Sequence, residues 1–173
     1  MPKIITTRRR ESEHEKALEY IKSHILFPSG LLGLIFMIAA SAALAYQFMA
    51  VTYSWHTFVE TVGLLLTGGL LGWTQTRYHQ YLLREYPGYF AGRMRLFSRA
   101  GHKRLKKELS YPEFDHSARK WLPVGYLLGI GGLVAASALI TIYGNTYYIG
   151  AFLMPWAGFF WAKMFFWRRI LAR

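Results

Sequence analysis

LLGLIFMIAASA, Leu31 to Ala42, is written again ninety-six residues later as LLGIGGLVAASA, Leu127 to Ala138, with seven of the twelve positions identical. Each copy lies inside a long uncharged run. No lysine, arginine, aspartate or glutamate occurs from Phe27 to Thr57, from Thr61 to Gln75, or from Trp121 to Ala162. A bilayer core ~30 Å thick takes about 20 helical residues per crossing. The first run therefore holds one helix, the second a shorter helix with polar edges, and the third two. With 53% hydrophobic and 17% charged residues in 173, the chain reads as an all-α polytopic membrane protein.

The predicted transmembrane helices are Phe27 to Val51, Phe58 to Trp73, Trp121 to Tyr143 and Tyr147 to Trp167. SWHT (Ser54 to Thr57) and GNT (Gly144 to Thr146) are clusters of turn-forming residues that join them into two helical hairpins. The organisation expected is an N-terminal amphipathic helix (1–26), a first hairpin (27–76), a basic loop with short helices (77–120), a second hairpin (121–167) and a tail (168–173).

All twenty-one lysines and arginines fall on one side of this arrangement: six before Phe27, eleven between Arg77 and Lys120, and four from Lys163 onward. Loops on the cytoplasmic side carry the Lys/Arg excess. Both termini and the central loop are thus expected to be cytoplasmic in a bacterial inner membrane, or on the matrix side of an organellar one. The net charge of +12 is then chiefly a topology signal, and no fold or motif supports a nucleic-acid partner. The absence of cysteine excludes disulfides and cysteine-ligated metals. Arg8 to Arg10, the apolar string and Ala43-Leu44-Ala45 imitate a secretory signal peptide, but the basic region is too long and apolarity continues to Val51. Four glutamates between Glu11 and Glu19 argue against an organellar transit peptide.

The echo extends backward to Phe27-Pro28-Ser29-Gly30 against Leu122-Pro123-Val124-Gly125, and more weakly to Gly63 against Gly150. Two hairpins of the same orientation would form a parallel repeat about an axis along the membrane normal. Small residues let membrane helices approach closely, where lipid supplies no hydrophobic drive for association. Ala39 and Ala43, Gly68 and Gly72, Gly125 and Gly129, Gly132 and Ala136, and Gly158 and Ala162 are such pairs, each four residues apart. The repeated AASA segment is therefore expected on a packing face, toward another helix of the chain or a partner subunit.

On the aqueous side, Ser12 and Glu15 have the spacing of a capping box. Leu18, Ile21 and Ile25 recur at helical spacing as the apolar face of a surface helix, with a bend expected before Pro28. In the central loop, Arg93, Arg95, Arg99, Lys103, Arg104, Lys106 and Lys107 are interrupted by no acid, and Phe90, Met94 and Phe97 run beside them. This cluster suits anionic lipid headgroups as well as it enforces topology.

Polar chemistry within the apolar runs is sparse. Glu60 is expected as an interfacial carboxylate in the outer turn, Gln47 as an interhelical hydrogen-bonding group, and Lys163 as a cation reaching the inner interface. None of the six histidines is centrally placed to ligate haem, and no catalytic motif occurs. Trp55, Trp73, Trp121 and Trp167 have the positions of an aromatic belt. The aromatic last helix, from Trp156 to Phe166, leaves contact with lipid, quinone, pigment or a neighbouring subunit open.

The expectation is a non-catalytic accessory or scaffold subunit of a larger integral-membrane complex, in which bound lipid and other membrane subunits are the partners. A small transporter or channel subunit with a path between the hairpins, and a lipid-handling protein, are the alternatives. The hairpin pattern is shared by many small membrane proteins and carries no specific family resemblance.

Overall fold

The computed structural model describes residues 14–98 and 118–171. Among them every regular element is helical and no strand occurs. The helices are α1 (His14–Met49), α2 (Trp55–Glu85), α3 (Pro87–Ser98), α4 (Ala118–Tyr143) and α5 (Tyr148–Leu171). Three of them, α1, α4 from Pro123 and α5, are long and apolar enough to cross a membrane, and the chain is an integral membrane protein. The thirty-one residues of α2 fall short of that apolarity. Its uncharged stretch, Thr61 to Thr76, is sixteen residues long and includes four glycines.

Instead of bending at Pro28, α1 continues from His14 to Met49. A proline in a helix leaves the carbonyl four residues earlier without its donor and crowds it with the ring. Here the turns just before Pro28 widen into a π-helical stretch, Ile21–Leu26, and the Phe27 N–H donates to the Lys22 carbonyl. The looser winding accommodates the proline without ending the helix.

The first turn also differs from expectation. Trp55, His56 and Thr57 already belong to α2, and Ser54 caps it. The Thr57 N–H donates to the Ser54 hydroxyl (3.3 Å) and the Ser54 N–H to the Thr57 hydroxyl (3.4 Å), a reciprocal capping box. The chain reverses earlier, at Ala50 to Tyr53. There the Thr52 N–H donates to the Gln47 carbonyl (3.1 Å) and the Val51 N–H to the Phe48 carbonyl (3.2 Å). Those two bonds form a Schellman motif, with Val51 at the position usually given to glycine and a φ of 56°.

The described chain divides into two compact units, one of residues 14–27 and 77–98 and a larger one of residues 28–76 and 118–171. In the smaller unit, Ala17, Tyr20 and Ile21 of α1, Leu83 of α2, and Phe90 and Ala91 of α3 are buried. The Phe90 ring lies 6.1 Å from Tyr20 and 6.2 Å, edge-on, from His79. The buried side of α1 is thus centred between Ala17 and Ile21, with Leu18 and Ile25 at its flanks. Pro87 opens α3, where its missing N–H costs nothing.

The larger unit is a bundle with α5 at its centre. Of the apolar window in each candidate span, 39% is buried in α5, against 17% in α1 and 11% in α4. Its core joins Ala40 of α1, Leu64 of α2, and Ala151 and Met154 of α5, flanked by Leu44, Leu65, Ala136, Ile140 and Leu153.

Candidate functional site

Two groups of residues position whatever the bundle does: a glycine contact between α2 and α5, and a polar cluster where both helices begin. On α2, a Cβ at Gly68 would collide with the Pro155 carbonyl of α5, and one at Gly72 with the Phe159 carbonyl. From the other side, a Cβ at Gly158 would collide with the Leu65 carbonyl and lie 3.1 Å from the Gly69 nitrogen. The two backbones touch directly. Lipid competes with side chains for dispersion contacts but cannot enter between two backbones in contact, so the glycines make this crossing specific.

The other inward glycines meet side chains. A Cβ at Gly33 of α1 would stand 3.3 Å from Phe160 and Trp161 of α5, and one at Gly30 would stand 3.3 Å from the Met164 sulfur. The equivalent of Gly33 in the second string, Gly129 of α4, faces Leu71 of α2. Ala40 and Ala43 are buried, and Ala39 and Ala136 half-buried. Gly125 and Gly132 lie outside this core: both are exposed, with nothing within 4 Å of an added Cβ. The inward ridge of α4 runs through Gly129, Leu133, Ala136, Ser137 and Ile140, and Gly125 and Gly132 lie at its exposed edge.

At the polar cluster, Glu60 in the second turn of α2 accepts from the Thr146 hydroxyl (2.6 Å) and from the Asn145 N–H (3.1 and 3.3 Å). Gln47, buried near the end of α1, donates to the Asn145 carbonyl (2.7 Å) and accepts from the Tyr147 N–H (3.1 Å). Gln47 reaches 98 and 100 residues along the sequence, and Glu60 85 and 86, to satisfy the turn that leaves α4 and enters α5. Gly144 completes the cluster, because a Cβ there would stand 2.8 Å from the Glu60 carboxylate and 2.6 Å from the Ile140 carbonyl. Chemically this is a clamp, with a carboxylate and an amide committed to holding one turn. GNT is legible in the sequence as a turn, but its use of Glu60 and Gln47 is not. The available signal is that a carboxylate beside an apolar helix requires donors.

Lys163 is half-buried on α5. Its Nζ lies 5.2 Å from the centroid of Phe159, one turn back along α5, in keeping with the lean of helical side chains toward the helix N-terminus. Trp167 is not an interfacial anchor, since its ring is fully buried and a belt residue needs the lipid–water boundary. Arg93 is exposed, with its guanidinium 4.9 Å from the Tyr89 centroid. Arg95 lies on α3. Arg99, Lys103, Arg104, Lys106, Lys107 and the Ser12 cap fall outside the described residues.

Among the described residues, no three histidine, aspartate or glutamate side chains gather as metal ligands. An open apolar groove of about 530 Å³ runs between α1, α2 and α5. Compared with protein-family models, with curated proteins and with solved structures, the chain matches none significantly.

Proposed function

We propose that this chain is a non-catalytic accessory or scaffold subunit of a larger integral-membrane assembly, built as four spans in two hairpins of the same orientation. The observation that carries this reading is the outer face of α4. Gly125, Leu128, Gly132, Ala135, Leu139 and Ile142 are all exposed and follow one another at steps of three and four residues. Small and large residues along such a stripe form holes and knobs for a helix of another subunit. Gly125 and Gly132, which do not pack within the chain, thereby gain a use.

α2 is the fourth span in this proposal. Its backbone contact with α5 along Gly68 and Gly72 sets it beside a helix that is itself apolar enough to span, and the clamp satisfies Glu60 at its outer end. The internal duplication is supported by the same contact. Aligning Gly63 with Gly150 also pairs Gly68 with Pro155 and Gly72 with Phe159, and these are the residues that touch. Equivalent positions meet in this way across a twofold axis. Both termini and the basic loop then share the cytoplasmic or matrix side.

The dry α2–α5 contact, and the commitment of Glu60 and Gln47 to the turn, favour scaffold over transporter. The test is capture of a tagged chain from membranes in mild detergent. A partner should elute in fixed stoichiometry and be lost in Gly132→Leu while the chain's own thermal midpoint holds, since a Cβ at this exposed position has nothing within 4 Å. Recovery of the chain alone from fully extracted membranes contradicts the proposal.

A further inference from the structure

The groove between α1, α2 and α5 is floored by Gly69 and Gly158 and walled by Leu66, Trp73, Trp161 and Phe166, among others. Its lining is almost wholly apolar, it opens sideways, and Leu66, Trp73 and Trp161 are exposed. A neighbouring helix is a poor occupant. With a diameter of ~10 Å and a pitch of ~5.4 Å, one helical turn fills about 400 Å³. The groove's 530 Å³ is scarcely more than one turn, and its lining carries the bulky side chains of Trp73, Trp161 and Phe166. A single hydrocarbon chain is thin enough to reach that floor.

A cation follows the groove lining along α5. On α5, Gly158, Ala162 and Phe166 share one helical face, and three residues farther, about 4.5 Å along the axis, that face continues to Arg169. Arg169 and its neighbour Arg168 are exposed, and helical side chains lean toward the N-terminus, which from Arg169 is the direction of the groove. An arginine at this place presents a fork of donors that matches a phosphate.

We propose that this groove is a specific site for an anionic phospholipid, with one acyl chain lying on Gly69 and Gly158 and the headgroup phosphate held by Arg169. The site lies on a different face from the stripe of α4 and does not depend on the chain being a subunit.

The full chain is reconstituted in phosphatidylcholine vesicles containing a minor fraction of bromine-labelled phosphatidylglycerol or, separately, the same fraction of bromine-labelled phosphatidylcholine. Bromine quenches tryptophan on contact, and Trp73 and Trp161 report from the groove. Quenching by the anionic lipid should correspond to about fivefold enrichment over the zwitterionic one, the factor contributed by one cation near an anionic surface. Arg169→Gln should abolish the enrichment and Arg169→Lys retain most of it. Gly69→Leu, filling the floor, should lower quenching by both lipids, and Trp73→Phe with Trp161→Phe should remove the excess signal. Equal quenching by the two lipids in the unaltered chain overturns the proposal, as does an excess that survives both Arg169→Gln and Gly69→Leu. The chain has no cysteine, so disulfide linkage of two copies through Leu66→Cys would identify a second copy as occupant and also overturn it.

Discussion

Val51 holds a conformation that costs a β-branched residue about 1–2 kcal/mol, because its Cβ crowds the following carbonyl. The Schellman bonds around it fix the reversal between α1 and α2, and the side chain is 90% exposed, so little packing offsets the strain. Val51→Gly is expected to relieve it, less the ~0.5–1 kcal/mol that glycine adds in unfolded-chain entropy. The net result is a thermal midpoint equal to or above that of the unaltered chain. A lower midpoint with α1 intact would mean that the Val51 side chain makes a contact beyond the bundle. At the clamp, Glu60→Ala leaves the exposed Asn145 N–H and the buried Thr146 hydroxyl without their acceptor, and the unmet buried donor costs about 1–3 kcal/mol. Because Glu60 and Thr146 share a bond, Glu60→Ala combined with Thr146→Val should cost less than the sum of the two changes, read as a double-mutant cycle in detergent unfolding. Strict additivity would show that the bond contributes nothing.

Among elements, glycine position separates contact from surface. Gly68→Ala drives a methyl group into the Pro155 carbonyl, and backbone yields only if the helices move apart. Overpacking of this kind costs about 1–3 kcal/mol. Gly132→Ala meets open space and replaces a poor helix former, so it should be neutral or stabilising by up to about 1 kcal/mol. Thermal midpoints of the two variants should move in opposite directions or by clearly different amounts, and similar losses in both would refute the proposed division of faces. The uncharged runs make α1, α4 and α5 legible as helices in the amino-acid sequence alone, because length and apolarity are local properties. The α2–α5 crossing is half legible. GxxxG marks a small face, but helical phase alone does not say which neighbour it meets. Gly125 and Gly132 show the limit, since each stands four residues from an inward small residue, Gly129 or Ala136, and is itself exposed. The clamp is less legible still, since Gln47 and Glu60 meet partners 85 to 100 residues away in the sequence. The continuity of α1 through Pro28 escapes the usual reading of proline as a breaker because a π-helical stretch accommodates it.

For the whole molecule, the account depends on α2 crossing the membrane despite its short apolar run, for then the two hairpins enter from one side and all basic segments lie together. The alternative of three crossings keeps α1, α4 and α5 as spans and leaves α2 against the bundle without traversing it. Absence of cysteine makes the two cases separable with single introduced thiols and an impermeant reagent on sealed cells. Ala50→Cys places a thiol at the exposed end of α1, just before α2, and His102→Cys places one in the basic segment beyond α2. The four-span account predicts labelling of position 50 from outside and of position 102 only after the membrane is opened. Labelling of both positions from the same side would contradict it.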